Sequence, residues 1–191
     1  MTPRDRDSQK TVTAHQRVYA GRIWDVVRDE VELDPGRRVE RDYVAHPGAV
    51  AIVAVDEEER MVLVQQYRHP VRRELWEVPA GLLDVPGEDP LEAAKRELWE
   101  EADLRAETWE HLVDYYTTPG GSDEKLQVFL ARDLREVPAD ERYERTDEEL
   151  GMPITFVPVR DVVESVLTGG IMNPSTVVGA LAYAQKFLNQ G

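Results

Sequence analysis

Cysteine is absent from the chain, which excludes disulfides and thiolate-ligated metals. Positive charge is scarce. The 23 Lys and Arg residues against 38 Asp and Glu leave a net charge of −15. A surface of that sign repels phosphate backbones and anionic lipid, so neither a nucleic acid nor a membrane is expected as partner. A phosphorylated ligand would have to be met through metal and a few placed arginines. Long apolar runs are missing too: the longest, Ala49 to Val55, is far too short to span a bilayer. The polar start, Met1 to Lys10, lacks the apolar core of a secretory leader, and a cytoplasmic location is the expectation. No G-x4-G-K-[ST] phosphate loop, G-x-S-x-G elbow or H-E-x-x-H helix occurs. His15, His46, His69 and His111 are scattered without ligand spacing and read as ordinary surface or half-buried side chains. What remains is 191 residues, 41% apolar, enough for one well-buried core with a small N-terminal appendage.

The densest information lies in Gly81 to Leu104. Asp89 can cap a helix whose first position suits Pro90, and Glu92 sits where a capping box places its acid. The helix is predicted to run from about Pro90 to Ala102. At about 100° per residue Leu91, Ala94, Leu98 and Ala102 share the buried face, with Glu92, Lys95 and Trp99 along one flank. Glu97 and Glu101 lie along the other flank, neighbours at the core boundary, and Glu100 points further toward water. Acids in a last turn oppose the helix dipole, and like charges at i,i+4 repel. Arg96 alone cannot neutralise them. An acidic helix is ordinarily a solvated face; a hard divalent cation would instead turn the three carboxylates into a binding site.

Gly81, Glu88, Arg96, Glu97, Leu98, Glu100, Glu101 and Leu104 resemble the Nudix box, G-x5-E-x7-R-E-U-x-E-E-x-G-U with U aliphatic. Two positions depart from it. Six residues rather than five separate Gly81 from Glu88, an extra residue assigned to the Val85-Pro86-Gly87 turn. Asp103 stands at the final Gly of the box, where a left-handed conformation is wanted; Asp tolerates that better than most side chains, at some cost.

Elsewhere, residues 1–10 read as a disordered lead. Val12 to Ala45 is strand-like, broken by a turn at Asp34-Pro35-Gly36. Ala49 to Val55 is a buried strand, and Met61 to Arg68 is expected to pair with it across Asp56 to Glu59. Leu75 to Pro79 leads into the box. Trp109 to Tyr115, Lys125 to Ala131 and Ile154 to Val159 are further strands, and helices are expected near Arg160 to Leu167 and Ser175 to Leu188. This order suggests a mixed sheet between helices, and the α/β/α sandwich that the Nudix resemblance implies is such a fold. The expected division is residues 1–45 as lead and β-segment, with a role in dimerisation, and 46–191 as the Nudix hydrolase domain.

The box implies metal chemistry; the substrate is read elsewhere. Pro119, fifteen residues past Leu104 within Thr117 to Glu124, resembles the ADP-ribose pyrophosphatase branch. So does Gln65-Gln66-Tyr67-Arg68 followed by Leu75 to Gly81. Alone, Pro119-Gly120-Gly121 is a surface turn and Arg68 a strand-edge charge. The resemblance implies a Mg2+-dependent enzyme, with Mn2+ as the alternative cation, that splits a nucleoside diphosphate sugar, ADP-ribose, into AMP and ribose 5-phosphate. It implies Glu97 and Glu101 as the main metal ligands, Glu100 as a third, the Ala80 carbonyl as a backbone ligand, and Arg96 as orienting the acids. Arg68, Glu77, Pro119, Ser122 and Glu124 would bind substrate. The branch takes its general base from a late loop, here Thr146 to Leu150, so Glu148 or Glu149. Trp24 is either a core aromatic or, because the branch exchanges N-terminal segments in a two-fold dimer, a face for adenine in a homodimer. Two alternatives stand: a Nudix pyrophosphatase for another nucleotide sugar or dinucleotide, and a non-catalytic ADP-ribose-binding regulator. Such regulators lose box acids and gain a DNA-binding domain, whereas this chain keeps every acid and has no basic patch.

Overall fold

The structure is a computed structural model that describes residues 2–145 and 151–188. Two compact units emerge, the first made of Met1–Pro47 with Thr118–Glu124 and the second of Gly48–Thr117 with Lys125–Gly191.

In the first unit β1 (Thr11–Ala20), β2 (Asp25–Asp34) and β3 (Arg37–Ala45) form an antiparallel sheet in that order. Gly36, with φ of 80°, supplies the left-handed residue that the β2–β3 turn needs. Polar pairs cross the strands. Arg28 sits opposite Asp42 and donates to it through Nε at 2.6 Å and Nη2 at 2.8 Å. His15 Nδ1 lies 2.6 Å from Asp29, whose other oxygen accepts from Tyr43 at 3.3 Å. Every residue of β1 is exposed. The segment 118–124 attaches to β3, with Val44 N donating to Gly121 O and Asp123 N to Val44 O.

The second unit is built around β4 (Ala49–Ala54), buried along its whole length. A mixed sheet runs β7 (Ala80–Leu82), β4, β9 (Lys125–Glu136), β8 (Leu104–Tyr116); β4 and β9 are parallel, the other pairs antiparallel. Alternate side chains of β4 enter two cores, as the two-residue period requires. Val50, Ile52 and Ala54 pack with Ala93, Ala94 and Leu98 of α1 (Pro90–Ala102). Ala51 and Val53 pack with Val162 of α2 (Val159–Leu167) and with Ala180 and Tyr183 of α3 (Pro174–Tyr183). Gly179 of α3 is required there, since a Cβ would meet the Val53 side chain at 2.6 Å. The sheet is thus covered by helices on both faces, an α/β/α arrangement. No helix among the described residues is long and apolar enough to cross a membrane.

Several expectations need correction. β5 (Arg60–Arg68) is not a ladder partner of β4: it pairs with β6 (Arg73–Glu77) and β10 (Ile154–Pro158) in a separate three-stranded sheet, and the isolated Val55–Met61 bridge, with Asp56 N donating to Arg60 O, links its start to the end of β4. Both edges of β4 are taken by β7 and β9, so the turn carries the chain into another sheet. Strands β8 and β9 extend well beyond their apolar runs. The last helix ends at Tyr183 and continues to Leu188 as a π turn.

Candidate active site

Helix α1 begins as its sequence dictates. Asp89 accepts from Leu91 N at 2.9 Å and Pro90 takes the first position. It ends at Asp103, in the left-handed region at φ 53°, ψ 36°, with its N–H directed at the carbonyls of Leu98 and Trp99. The buried face is Ala93, Ala94, Leu98 and Ala102; Leu91 is only half-buried, so the stripe is turned slightly toward Ala93. Glu97 and Glu101, expected at the boundary, are only 8% and 6% exposed.

Those two carboxylates face the backbone of β7. Ala80 N donates to Glu101 Oε2 at 2.9 Å, and a Cβ on Gly81 would overlap the Glu97 carboxyl group. Glycine therefore lets main chain and acid approach closely. The strand leading there is pinned on both sides: Val78 N donates to Thr176 Oγ1 at 2.9 Å and Ile52 N to Pro79 O at 2.8 Å.

Arg96 organises the other acids. It donates through Nε and Nη2 to Glu88 at 3.1 and 3.0 Å, and through Nη1 to Glu97 at 2.6 Å and Glu100 at 3.0 Å. The extra loop residue leaves this pairing intact, because Val85 to Glu88 closes as a turn with Gly87 at φ 80°. Hydrogen bonding to Glu88, opposed by burial and reinforced by the charges of Glu97 and Glu100, raises the Arg96 pKa above its ordinary range. The same hydrogen bond holds the Glu88 carboxyl below its usual value.

One guanidinium thus holds three carboxylates, Glu88, Glu97 and Glu100, while Glu101 is the fourth acid of the group; Glu97 and Glu101 are buried. Hard oxygen donors in excess negative charge fit a divalent cation such as Mg2+. Among the described residues, no three His, Asp or Glu side chains stand as a formed ion-binding group. Glu88, Glu97 and Glu100 are turned to Arg96 and Glu101 to the Ala80 N–H, so binding an ion would require carboxylate rotation toward it.

The remaining predicted residues fall into two groups. Arg68 and Glu77 meet each other in the second unit through paired bonds of 2.9 and 2.7 Å, with Glu77 buried. In the first unit Trp24 and Glu124 both meet His46, and Ser122 is hydrogen-bonded to the Glu124 main chain. Trp24 is 43% exposed, not a core aromatic, and stacks on His46 with centroids 5.0 Å apart. His46 Nε2 lies 3.4 Å from Glu124, the His46 backbone N–H donates to Asp123 Oδ1, and Ser122 Oγ donates to Val44 O and accepts from Glu124 N. Pro119 sits in a turn closed by Gly121 N and Ser122 N on Thr118 O. Glu148 and Glu149 lie outside the described residues.

Sequence reasoning missed two features. His46 looked ordinary because nothing local marks it as the link between Trp24 and the 122–124 segment. Arg145 donates to Glu100 O at 2.9 Å and to Asp103 Oδ2 at 2.6 Å. The available signal was Asp103 itself, an acid at a helix end that wants a cation.

The NUDIX domain family model matches residues 45–171 of the chain. Over 167 residues the chain is 46% identical to an ADP-ribose pyrophosphatase of Mycobacterium tuberculosis, covering 87% of this chain and 79% of that protein. It is 37% identical over 163 residues to an ADP-ribose pyrophosphatase of Bacillus subtilis, covering 82% and 87%. A crystal structure of an ADP compounds hydrolase matches with a TM-score of 0.76 over 98% of this chain and 99% of the other, at 22% identity, a likeness of fold.

Proposed function

The chain belongs to the Nudix family, and on that footing we propose that it is a divalent-cation-dependent pyrophosphatase that hydrolyses ADP-ribose to AMP and ribose 5-phosphate. The observation that carries the reading is the acid group on α1 facing β7, in a chain similar over most of its length to two ADP-ribose pyrophosphatases.

Glu97 and Glu101 would be the main ligands of Mg2+, or of Mn2+ as the alternative, with Glu100 and the Ala80 carbonyl completing the protein's share. When bound, the cation offsets negative charge on the phosphate oxygens. Arg96 holds Glu88, Glu97 and Glu100 in place. Water adds to one phosphorus, the bond from that phosphorus to the bridging oxygen breaks, and the bridging oxygen leaves with the other phosphate. Glu148 or Glu149 takes the proton from the water. Arg68, Glu77, Pro119, Ser122 and Glu124 are assigned to substrate recognition.

The proposal extends to a cytoplasmic homodimer. A two- or three-stranded sheet alone is marginal in water, and β1 is exposed at every residue. A second copy would cover the N-terminal sheet, and Trp24 would stack on the adenine bound by that partner.

A matched panel of ADP-ribose, GDP-mannose, diadenosine polyphosphates and nucleoside triphosphates, with products separated by chromatography, tests the substrate. ADP-ribose is expected to be cleaved fastest, giving AMP and ribose 5-phosphate. Faster cleavage of any other member assigns the chain to a different Nudix specificity.

A further inference from the structure

The C-terminal end of α1 has an electrostatic deficit that the helix does not remedy. Its last turn holds Glu100 and Glu101 and no basic residue, although terminal carbonyls favour a cation. Asp103 adds a further carboxylate in a left-handed conformation that the box reserves for glycine. The cation comes from outside the helix. Arg145 binds the Glu100 carbonyl through Nε and Asp103 Oδ2 through Nη2, with both side chains largely buried at 18% and 14% exposure. Asp103 is fixed from a third direction by Val137 N, which donates to its carbonyl at 2.9 Å. Its Oδ1 is buried without a hydrogen-bond partner among the described residues. The carboxylate therefore depends on Arg145, since a buried charge stripped of its partner is costly.

We propose that Arg145 and Asp103 form a clamp that sets the last turn of α1, making Arg145 a positioning residue for Glu97, Glu100 and Glu101 as cation ligands. This rests on the metal role given to those acids above. Glycine at the helix end fixes the chain direction through its conformational freedom alone. Here Asp103 gives up that freedom and gains an ion pair that also grips the carbonyl of a ligand residue. Arg145 acts through the backbone of Glu100 and touches neither cation nor substrate, so its loss should weaken cation binding more than it alters recognition of ADP-ribose.

Mn2+ binding to metal-stripped protein, measured by titration calorimetry without substrate, tests the clamp. Arg145→Ala should weaken binding by about tenfold, as loss of a group that orients metal ligands does. In turnover assays the Mg2+ concentration for half-activation should rise while KM for ADP-ribose at saturating Mg2+ holds. Asp103→Gly should bind Mn2+ nearly as the parent does. Arg145→Ala should cost less in the Asp103→Gly background, where no carboxylate is stranded. Arg145→Lys should recover part of the loss, and it stands in with the double variant where Arg145→Ala does not fold. Folded Arg145→Ala or, in that case, the folded double variant and Arg145→Lys both binding Mn2+ as tightly as the parent would overturn the clamp alone. A parent protein that binds no Mn2+ would overturn the metal role on which it rests.

Discussion

Strand β1 in the first unit and β4 in the second differ in what holds them. All ten residues of β1 are exposed, whereas all six of β4 are buried. The β1–β3 sheet relies on its main-chain ladder and cross-strand pairs such as Arg28–Asp42 and His15–Asp29, and pairs with a partner open to water are weakened by solvent screening. Each buried Val or Ile of β4 contributes roughly 1.5–3 kcal/mol. The second unit can therefore hold side chains to the tolerance that a catalytic group requires. The first leaves a whole strand, β1, open to solvent.

The largest effect expected inside the well-packed unit is on chemistry. Gly81→Ala would push a methyl group into the Glu97 carboxyl, and a displacement of about 1 Å at such a group costs on the order of 100-fold in rate. Because the displaced atoms end a flexible side chain, the thermal midpoint should move little. A midpoint that collapses together with activity would show that the site and the core cannot be separated.

Stability should separate the two units next. Leu98→Ala, at a fully buried position, is expected to lower the urea-unfolding free energy by about 2–5 kcal/mol. Val18→Ala, at an exposed one, should change it by no more than about 0.5 kcal/mol at concentrations where the chain is monomeric. A larger loss for Val18 that grows with protein concentration would place β1 in a dimer interface.

Trp24→Ala should weaken ADP-ribose binding by roughly tenfold, the value of one lost stacking contact of about 1–1.5 kcal/mol. Light scattering should find twice the 21.8 kDa of one chain. An active monomer, or unchanged affinity in Trp24→Ala, would contradict the exchanged-segment reading.

The smallest effect is on pH dependence. The Arg96 hydrogen bond lowers the Glu88 pKa below 4.5 in the folded protein, so Glu88 binds protons less readily there than in the unfolded chain. Its contribution is complete above about pH 4.5 and is lost as pH falls through the lowered value. Glu88→Gln should flatten that part of a thermal-midpoint profile on the acid side. An unchanged slope would mean that the pair contributes nothing to stability.

How much of this was legible in the sequence follows from how local each signal is. Helix α1 was readable from Asp89 to Ala102 because its cap, its Pro90 and its apolar period lie within one stretch of chain. The sequence does not determine the partner of β4, since the Asp56 to Glu59 turn looks the same whether the chain folds back as a hairpin or crosses into another sheet. That choice depends on β7 and β9, which compete for both edges of β4. Glu97 and Glu101 were placed on the correct flank by helical geometry, but their contacts with Ala80 and Gly81 depend on β7. The sequence admits both core and surface for Trp24, because aromatic residues serve in both. The Arg145 clamp spans 42 residues to Asp103, and no periodic pattern encodes a pairing of that range.

The central claim, that Glu97 and Glu101 hold the cation that makes ADP-ribose cleavage possible, is tested most directly by Glu101→Gln, which removes one charge without changing size. With saturating Mg2+, AMP release from ADP-ribose should fall by about two powers of ten or more relative to the parent, while the circular dichroism spectrum stays the same. Turnover by a folded Glu101→Gln protein close to that of the parent would contradict the account.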